Sequence, residues 1–224
     1  WDFGDGNYNY FSQNPTHSYS TSGIYPVVLT AISDFGCISK KEEEIIINKN
    51  PIAFFSTDST SCIGDMVNFI DLSYSENNEI IKWEWEMGDG ITIYDQNPVH
   101  IYNYPNLFDV SLTITSSGGC IGDTLIPSIV AVSDLPTASF DVSSSFASEL
   151  NAEIEFYNNS LDAVNYFWDF DNGQYSEKKN PVVDFNNLGN YEVVLSVENN
   201  FGCIDEFRRI VHITPEYSIY IPNS

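Results

Sequence analysis

Basic residues are scarce. Eight Lys and Arg stand against 32 Asp and Glu in 224 residues, a formal net charge of −24. Nucleic acids and anionic membranes are both held mainly through Lys and Arg, so neither is an expected partner. No run of about 20 apolar residues occurs, which excludes insertion in a membrane through a hydrophobic helix. Nowhere do apolar residues keep an i, i+3, i+4, i+7 pattern for three turns, so amphipathic helices do not organise the chain. Gly-x-Ser-x-Gly, His-Glu-x-x-His and phosphate-loop motifs are missing, as are CxxC and Cys/His spacings for zinc. No nucleophile-and-base constellation is present, so no catalytic residue is expected.

What the chain does contain is a repeat. Trp1-Asp2-Phe3-Gly4-Asp5-Gly6 recurs as Trp85-Glu86-Met87-Gly88-Asp89-Gly90 and as Trp168-Asp169-Phe170-Asp171-Asn172-Gly173. Asn14-Pro15, Asn97-Pro98 and Asn180-Pro181 keep step at intervals of 83 residues, as do Cys37, Cys120 and Cys203. A fixed period of this length marks a tandem array of one small domain. A copy of about 83 residues buries only some 60–65% of its unfolded surface, so its core must be efficient. Aromatics, at 15%, supply large buried area per residue.

The local periodicity is two. Tyr25, Val27 and Leu29 alternate with other residues, then Phe108, Val110, Leu112 and Ile114, then Tyr191, Val193, Leu195 and Val197. Alternation over this length predicts strands with one buried face. Further strands are predicted over 45–47, 66–70, 81–85, 126–132, 152–156, 164–170 and 207–213, with Gly, Asn, Asp and Pro clusters between them. The fold class is all-β, and the strand spacing is that of sandwiches. The phase divides the chain into a partial copy over 1–49 holding only C-terminal strands, copies over 50–133 and 134–215, and a linker over 216–224. Because the chain opens on a mid-domain motif, it is expected to be a fragment of a longer protein. The links Asn48-Lys49-Asn50-Pro51 and Ser133-Asp134-Leu135-Pro136 are short and contain Pro, which predicts a semi-rigid string.

Trp-Asp-Phe-Gly-Asp-Gly, then Asn-Pro-Thr-His-Ser-Tyr at 14–19, then Gly-x-Tyr-x-Val-x-Leu at 23–29 resembles the PKD domain, an immunoglobulin-like β-sandwich. Copy two keeps the pattern in Trp85–Gly90, Asn97–Tyr102 and Phe108–Ile114. Copy three departs from it, with Asp171-Asn172-Gly173 at the turn and Val183 and Phe185 in place of His and Tyr. Cys62-Ile63-Gly64-Asp65 together with Gly119-Cys120 resembles PKD repeats of secreted proteins from gliding bacteria. The closing Ile219–Ser224 looks like the entry to the gliding-motility-associated C-terminal domain, the sorting signal of the type IX secretion system. The resemblance implies a large cell-surface adhesin, extracellular and attached to the outer membrane. Its array would contact neighbouring PKD repeats and, through the sorting domain, the type IX machinery.

Trp1, Trp85 and Trp168 are expected in the core, as the buried Trp of such sandwiches is. Gly4-Asp5-Gly6 and Gly88-Asp89-Gly90 read as turn chemistry, in which Gly takes positive φ and Asp binds nearby amides. The alternative makes Asp5 and Asp89 metal ligands, and calcium held by Asp58, Asp65 and Asp89 is the one cofactor hypothesis. His17 and His100, once per copy, read as hydrogen-bonded structural residues. Cys62 and Cys120 fall in one copy, on strands expected to face each other, and predict a disulfide in an oxidising compartment. The alternative is four reduced core cysteines. Cys37 is expected to be unpaired here because its partner would lie in the front of copy one that this sequence lacks, and Cys203 because Glu149 aligns with the Cys62 position in copy three. Asp58-Ser59-Thr60 and Asp123-Thr124-Leu125 resemble the O-glycosylation sequon of gliding bacteria, which makes Ser59 and Thr124 acceptor candidates. Glu42-Glu43-Glu44 reads as a solvated face.

These readings converge on a non-enzymatic stalk of PKD repeats in a surface adhesin. The rival is an accessory region of a secreted hydrolase, with Tyr8, Tyr10, Phe11, Tyr94 and Tyr175 presented to surface polysaccharide or protein.

Overall fold

The computed structural model describes residues 1–216, and the closing Ile219–Ser224 motif lies outside the described residues, as does the 216–224 linker beyond its first residue. Every regular element among the described residues is a strand, so the fold is all-β. The chain falls into two compact units. One comprises 1–57, 68–99 and 109–128; the other comprises 58–67, 100–108 and the chain from 129 onward.

In the first unit, copy one is a hairpin of β1 (Gly23–Ile32) and β2 (Ile38–Ile47), paired antiparallel with Gly23 opposite Ile47. The Trp1–Gly6 segment attaches through reciprocal backbone bonds between Asp2 and Val28, 2.9 and 2.8 Å. Glu42, Glu43 and Glu44 lie within β2 and are exposed. Trp1 is only half-buried here.

Copy two supplies β3 (Phe55–Thr57), β4 (Thr60–Cys62), β5 (Met66–Asp71), β6 (Ile80–Glu86), β7 (Thr92–Ile93), β8 (Val99–Ile101), β9 (Asn106–Ser116) and β10 (Ile121–Ser133). Their order is β4-β10-β9-β6-β7 in one sheet and β3-β5-β8 in the other. Phe55 and Phe69 close on Trp85 with ring centroids 5.1 and 5.7 Å away, and Trp85 is fully buried.

Copy three repeats the plan with β11 (Phe140–Val142), β12 (Phe146–Ser148), β13 (Glu153–Asn158), β14 (Asn165–Asp169), β15 (Tyr175–Ser176), β16 (Val182–Asp184), β17 (Gly189–Glu198) and β18 (Ile204–Thr214). The sheets run β12-β18-β17-β14-β15 and β11-β13-β16. In β17 Val193, Leu195 and Val197 are buried while Glu192, Val194 and Ser196 face outward, which is the period-two pattern of a half-buried strand. Trp168 sits edge-on to Phe140 and Phe156, at 4.9 and 5.5 Å. Each such pair adds about 0.5–1.5 kcal/mol beyond the area it buries.

The cysteines correct the sequence reading. The disulfide joins Cys62 to Cys203, with Cα atoms 5.6 Å apart, and both Cys37 and Cys120 carry free thiols. Cys203, expected to be unpaired, is therefore bonded, and the expected Cys62–Cys120 bridge does not form. The reason lies in a pairing that repeat phase does not reveal. Strand β4 runs parallel to the far end of β10, with Cys62 opposite Ser133, whereas Cys120 precedes the first residue of β10. A strand of 13 residues spans roughly 40 Å at about 3.3 Å per residue, far beyond the reach of a disulfide. The same register in copy three sets Ser148 opposite Thr214, so Ser148 rather than Glu149 occupies the Cys62 position.

Candidate functional site

The repeated turn is built from short side-chain-to-amide bonds. Asp2 Oδ1 accepts from the Gly4 amide at 3.0 Å, and Asp5 Oδ1 accepts from Asn7 at 3.0 Å. Asp89 Oδ1 accepts from Ile91 at 3.1 Å, and in copy three Asn172 Oδ1 accepts from Gln174 at 2.9 Å. The backbone turn bond itself takes only one side-chain oxygen, so Asn172 can make it as Asp5 and Asp89 do. The preceding position has positive φ each time, +77° at Gly4, +84° at Gly88 and +56° at Asp171. Each turn is also anchored by its Trp, whose indole N–H donates to Gln13 O, Asp95 O or Lys178 O at 3.2, 2.9 and 2.9 Å.

His17 extends the turn of copy one. Its Nε2 lies 2.7 Å from Asp5 Oδ2, and its ring stacks on Phe3 at 4.1 Å. Burial acts to raise the Asp5 carboxyl, but hydrogen bonds from His17 and Asn7 outweigh it and hold Asp5 at about 2. In copy two the ring of His100 meets Tyr102 edge-on at 4.6 Å. The hydroxyls of Tyr25 and Tyr191 donate to Thr21 O and Asn187 O at 2.9 and 2.8 Å, tying each strand to the preceding corner.

Among the described residues no group of three or more His, Cys, Asp or Glu side chains converges. Asp58, Asp65 and Asp89 are therefore not gathered into one carboxylate cluster. Of the glycan candidates, Ser59 is exposed just before β4, while Thr124 is half-buried within β10. Tyr8, Tyr10, Phe11, Tyr94 and Tyr175 are all exposed, Phe11 at 99%. Tyr8 and Tyr10 stack at 5.9 Å beside a groove of about 850 Å³ in copy one. Tyr175 stacks on Phe167 at 5.7 Å, and Phe167 lines a groove of about 440 Å³ in copy three.

The feature that sequence reasoning missed is the turn carrying each late cysteine. Ser33 and Cys37, Ser116 and Cys120, and Asn199 and Cys203 close the same turn through N–H to O bonds of 2.9, 2.9 and 3.0 Å. Gly36, Gly119 and Gly202 supply the positive φ it needs. In copy three this turn lies against the link from copy two: Asn199 Nδ2 donates to Ser133 Oγ at 3.2 Å and to Asp134 O at 2.9 Å. In copy two the Cys120 Sγ stands 3.9 Å from Asn48 O on the preceding link. The 83-residue recurrence of Cys in a Gly-containing turn was the available signal.

A family model described as PKD domain matches residues 1–47, 48–129 and 133–214. Collagenase ColA of Clostridium perfringens is 30% identical over 133 residues, 59% of this chain and 10% of that protein. Collagenase ColA of Bacillus cereus is 39% identical over 49 residues, 22% of this chain and 5% of that protein. The chain thus spans a tenth or less of the length of these relatives. The PKD1 domain of Vibrio anguillarum Epp aligns with 26% identity and a TM-score of 0.35, over 39% of this chain and all of that domain.

Proposed function

The chain belongs to the PKD domain family, and on that premise we propose that it is a non-catalytic spacer, an extracellular string of sandwiches that holds other domains apart. The observation that carries this reading is the junction of copies two and three. There a short Pro-containing link is reinforced by the Asn199 bonds and by the Cys62–Cys203 disulfide. A joint with two covalent connections resists swing and torsion, as a spacer requires. A disulfide also fits an oxidising compartment outside the cytoplasm. Among the described residues no helix is long and apolar enough to cross a membrane.

The parent protein we propose is a cell-surface adhesin exported by the type IX system and held at the outer membrane, for which the closing Ile219–Ser224 sequence speaks. Loss of the secretion machinery should then strand the protein in the periplasm. The mass and domain content of the native polypeptide test the spacer reading. A chain of several hundred kilodaltons made mostly of repeats supports it, and a modest chain with an attached catalytic domain overturns it.

The collagenase relatives favour a second reading, an accessory region of a secreted hydrolase that offers Tyr8, Tyr10, Phe11, Tyr94 and Tyr175 to polysaccharide or protein. Retention of the chain on insoluble glycan or collagen, lost in Tyr175→Ala, supports that reading; no retention removes it.

A further inference from the structure

Copies two and three are joined at two points: by the chain itself at 133–136, and by the bond between β4 of one copy and the Asn199–Cys203 turn of the other. Around the second point the Cys203 amide donates to Asn199 Oδ1 at 3.1 Å, while Asn199 Nδ2 reaches back to Asp134 O. Beyond the link, the Ala138 amide donates to Asp205 Oδ2 at 2.8 Å. Cys62 therefore sits at the exit of copy two and Cys203 at the face of copy three that meets it.

Tension applied to such a chain takes the shortest covalent route. From Pro51 it reaches Cys62, crosses the sulfur–sulfur bond to Cys203 and leaves along β18. Everything between the two cysteines is bypassed, a sequence separation of 141 residues. We propose that the Cys62–Cys203 bond is a strap that sets how far this part of the array can extend. Load along the chain is the premise of the spacer reading; the bond's effect on length holds whatever protein carries the array.

The magnitudes are large. An extended chain reaches about 3.5 Å per residue, so the bypassed segment hides roughly 490 Å. With the strap intact, only the stretches from Pro51 to Cys62 and from Cys203 to the end of copy three remain to extend, together about 80 Å. Opening the strap takes two electrons and two protons from a dithiol: the sulfur–sulfur bond breaks, two thiols form, and the dithiol closes to its own disulfide. Both sandwiches then unfold at full length. Copy three holds Ser148 at the Cys62 position, so the same strap does not repeat from copy three onward.

Single-molecule pulling of the whole chain from handles at its two ends tests this, with and without dithiothreitol. The oxidised chain should show a total contour-length gain about 490 Å shorter than the reduced chain. A Cys62→Ser variant should match the reduced chain and ignore the reductant; if that variant fails to fold, the wild-type pair of measurements still decides. Equal gains with and without reductant overturn the strap. A shortfall of about 200 Å, the length of the 58 residues from Cys62 to Cys120, also overturns it by assigning the other pairing. Failure of the spacer reading shows separately, as a catalytic domain in the native polypeptide, and leaves the shortfall untouched.

Discussion

Cys62 and Cys203 are separated by 141 residues in sequence and by 5.6 Å between their Cα atoms. The bond closes a loop containing most of copies two and three, and so constrains the unfolded chain of both. In the chain-entropy model a loop of this length stabilises by about 5 kcal/mol. Peptide mapping without reduction should recover Cys62 and Cys203 as one linked pair, with alkylated Cys37 and Cys120. Chemical denaturation should show copies two and three both weakened in Cys62→Ser. Weakening confined to copy two would point to a bond within that copy.

Much of the fold was legible in the sequence, and the residues show why. Phe108, Val110, Leu112 and Ile114 alternate because one face of β9 is buried, and all four are at most 1% exposed. Trp85 and Trp168 were legible as core because a large aromatic in an alternating strand has few other places to go. Short strands such as β4 and β12 were not legible, because three residues carry no period. The disulfide was lost with them. The parallel pairing of β4 with the end of β10 is a contact distant in sequence, and neither composition nor repeat phase encodes it. The place of Asn172 in the turn was not legible either. Asn172 makes the backbone turn bond with a single accepting oxygen, the one that takes the Gln174 amide, and the sequence alone does not show which oxygen that bond needs.

Gly88 and Asp171 occupy one position in two copies and solve its problem differently. At Gly88 φ is +84°, and a Cβ would collide with the carbonyl oxygen of Asp109. At Asp171 the side chain is accommodated, and its Oδ2 accepts from the Glu192 amide at 3.2 Å. Gly88→Ala should therefore destabilise copy two by about 1–3 kcal/mol, combining φ strain with the clash. Asp171→Ala should cost copy three about 1 kcal/mol through the lost bond. Denaturant midpoints of the two variants check the ranking, and an unaffected Gly88→Ala would refute the close approach.

Asp71 gathers three donors: the Ser73 amide at 2.9 Å, the Trp83 indole at 2.7 Å and the Gln96 amide at 3.1 Å. Burial pushes its carboxyl up, but these bonds prevail and hold it below the usual range. A carboxylate lowered on folding contributes stability that is complete above its unfolded value and disappears as pH falls through the folded one. Asp71→Ala leaves the half-buried indole without its acceptor and should cost about 1–3 kcal/mol at neutral pH. The difference from wild type should shrink on acidification below pH 3.8, a trend that denaturation at a series of pH values reads directly.

Asp5 gives the sharpest pH signature. Its carboxyl is held at about 2, against an ordinary 3.8, by the His17 ring and by the amide and side chain of Asn7. The shift is downward, so the stabilisation is present in full above pH 3.8 and fades as pH falls towards 2. His17→Ala removes the strongest of these donors while leaving the Asp5–Asn7 turn bond in place. The Asp5 titration, followed by carboxyl NMR, should then move up towards 3.8 without reaching it. A midpoint unmoved by His17→Ala would mean that the turn amides alone hold the charge. In that case His17 acts only through its stacking on Phe3.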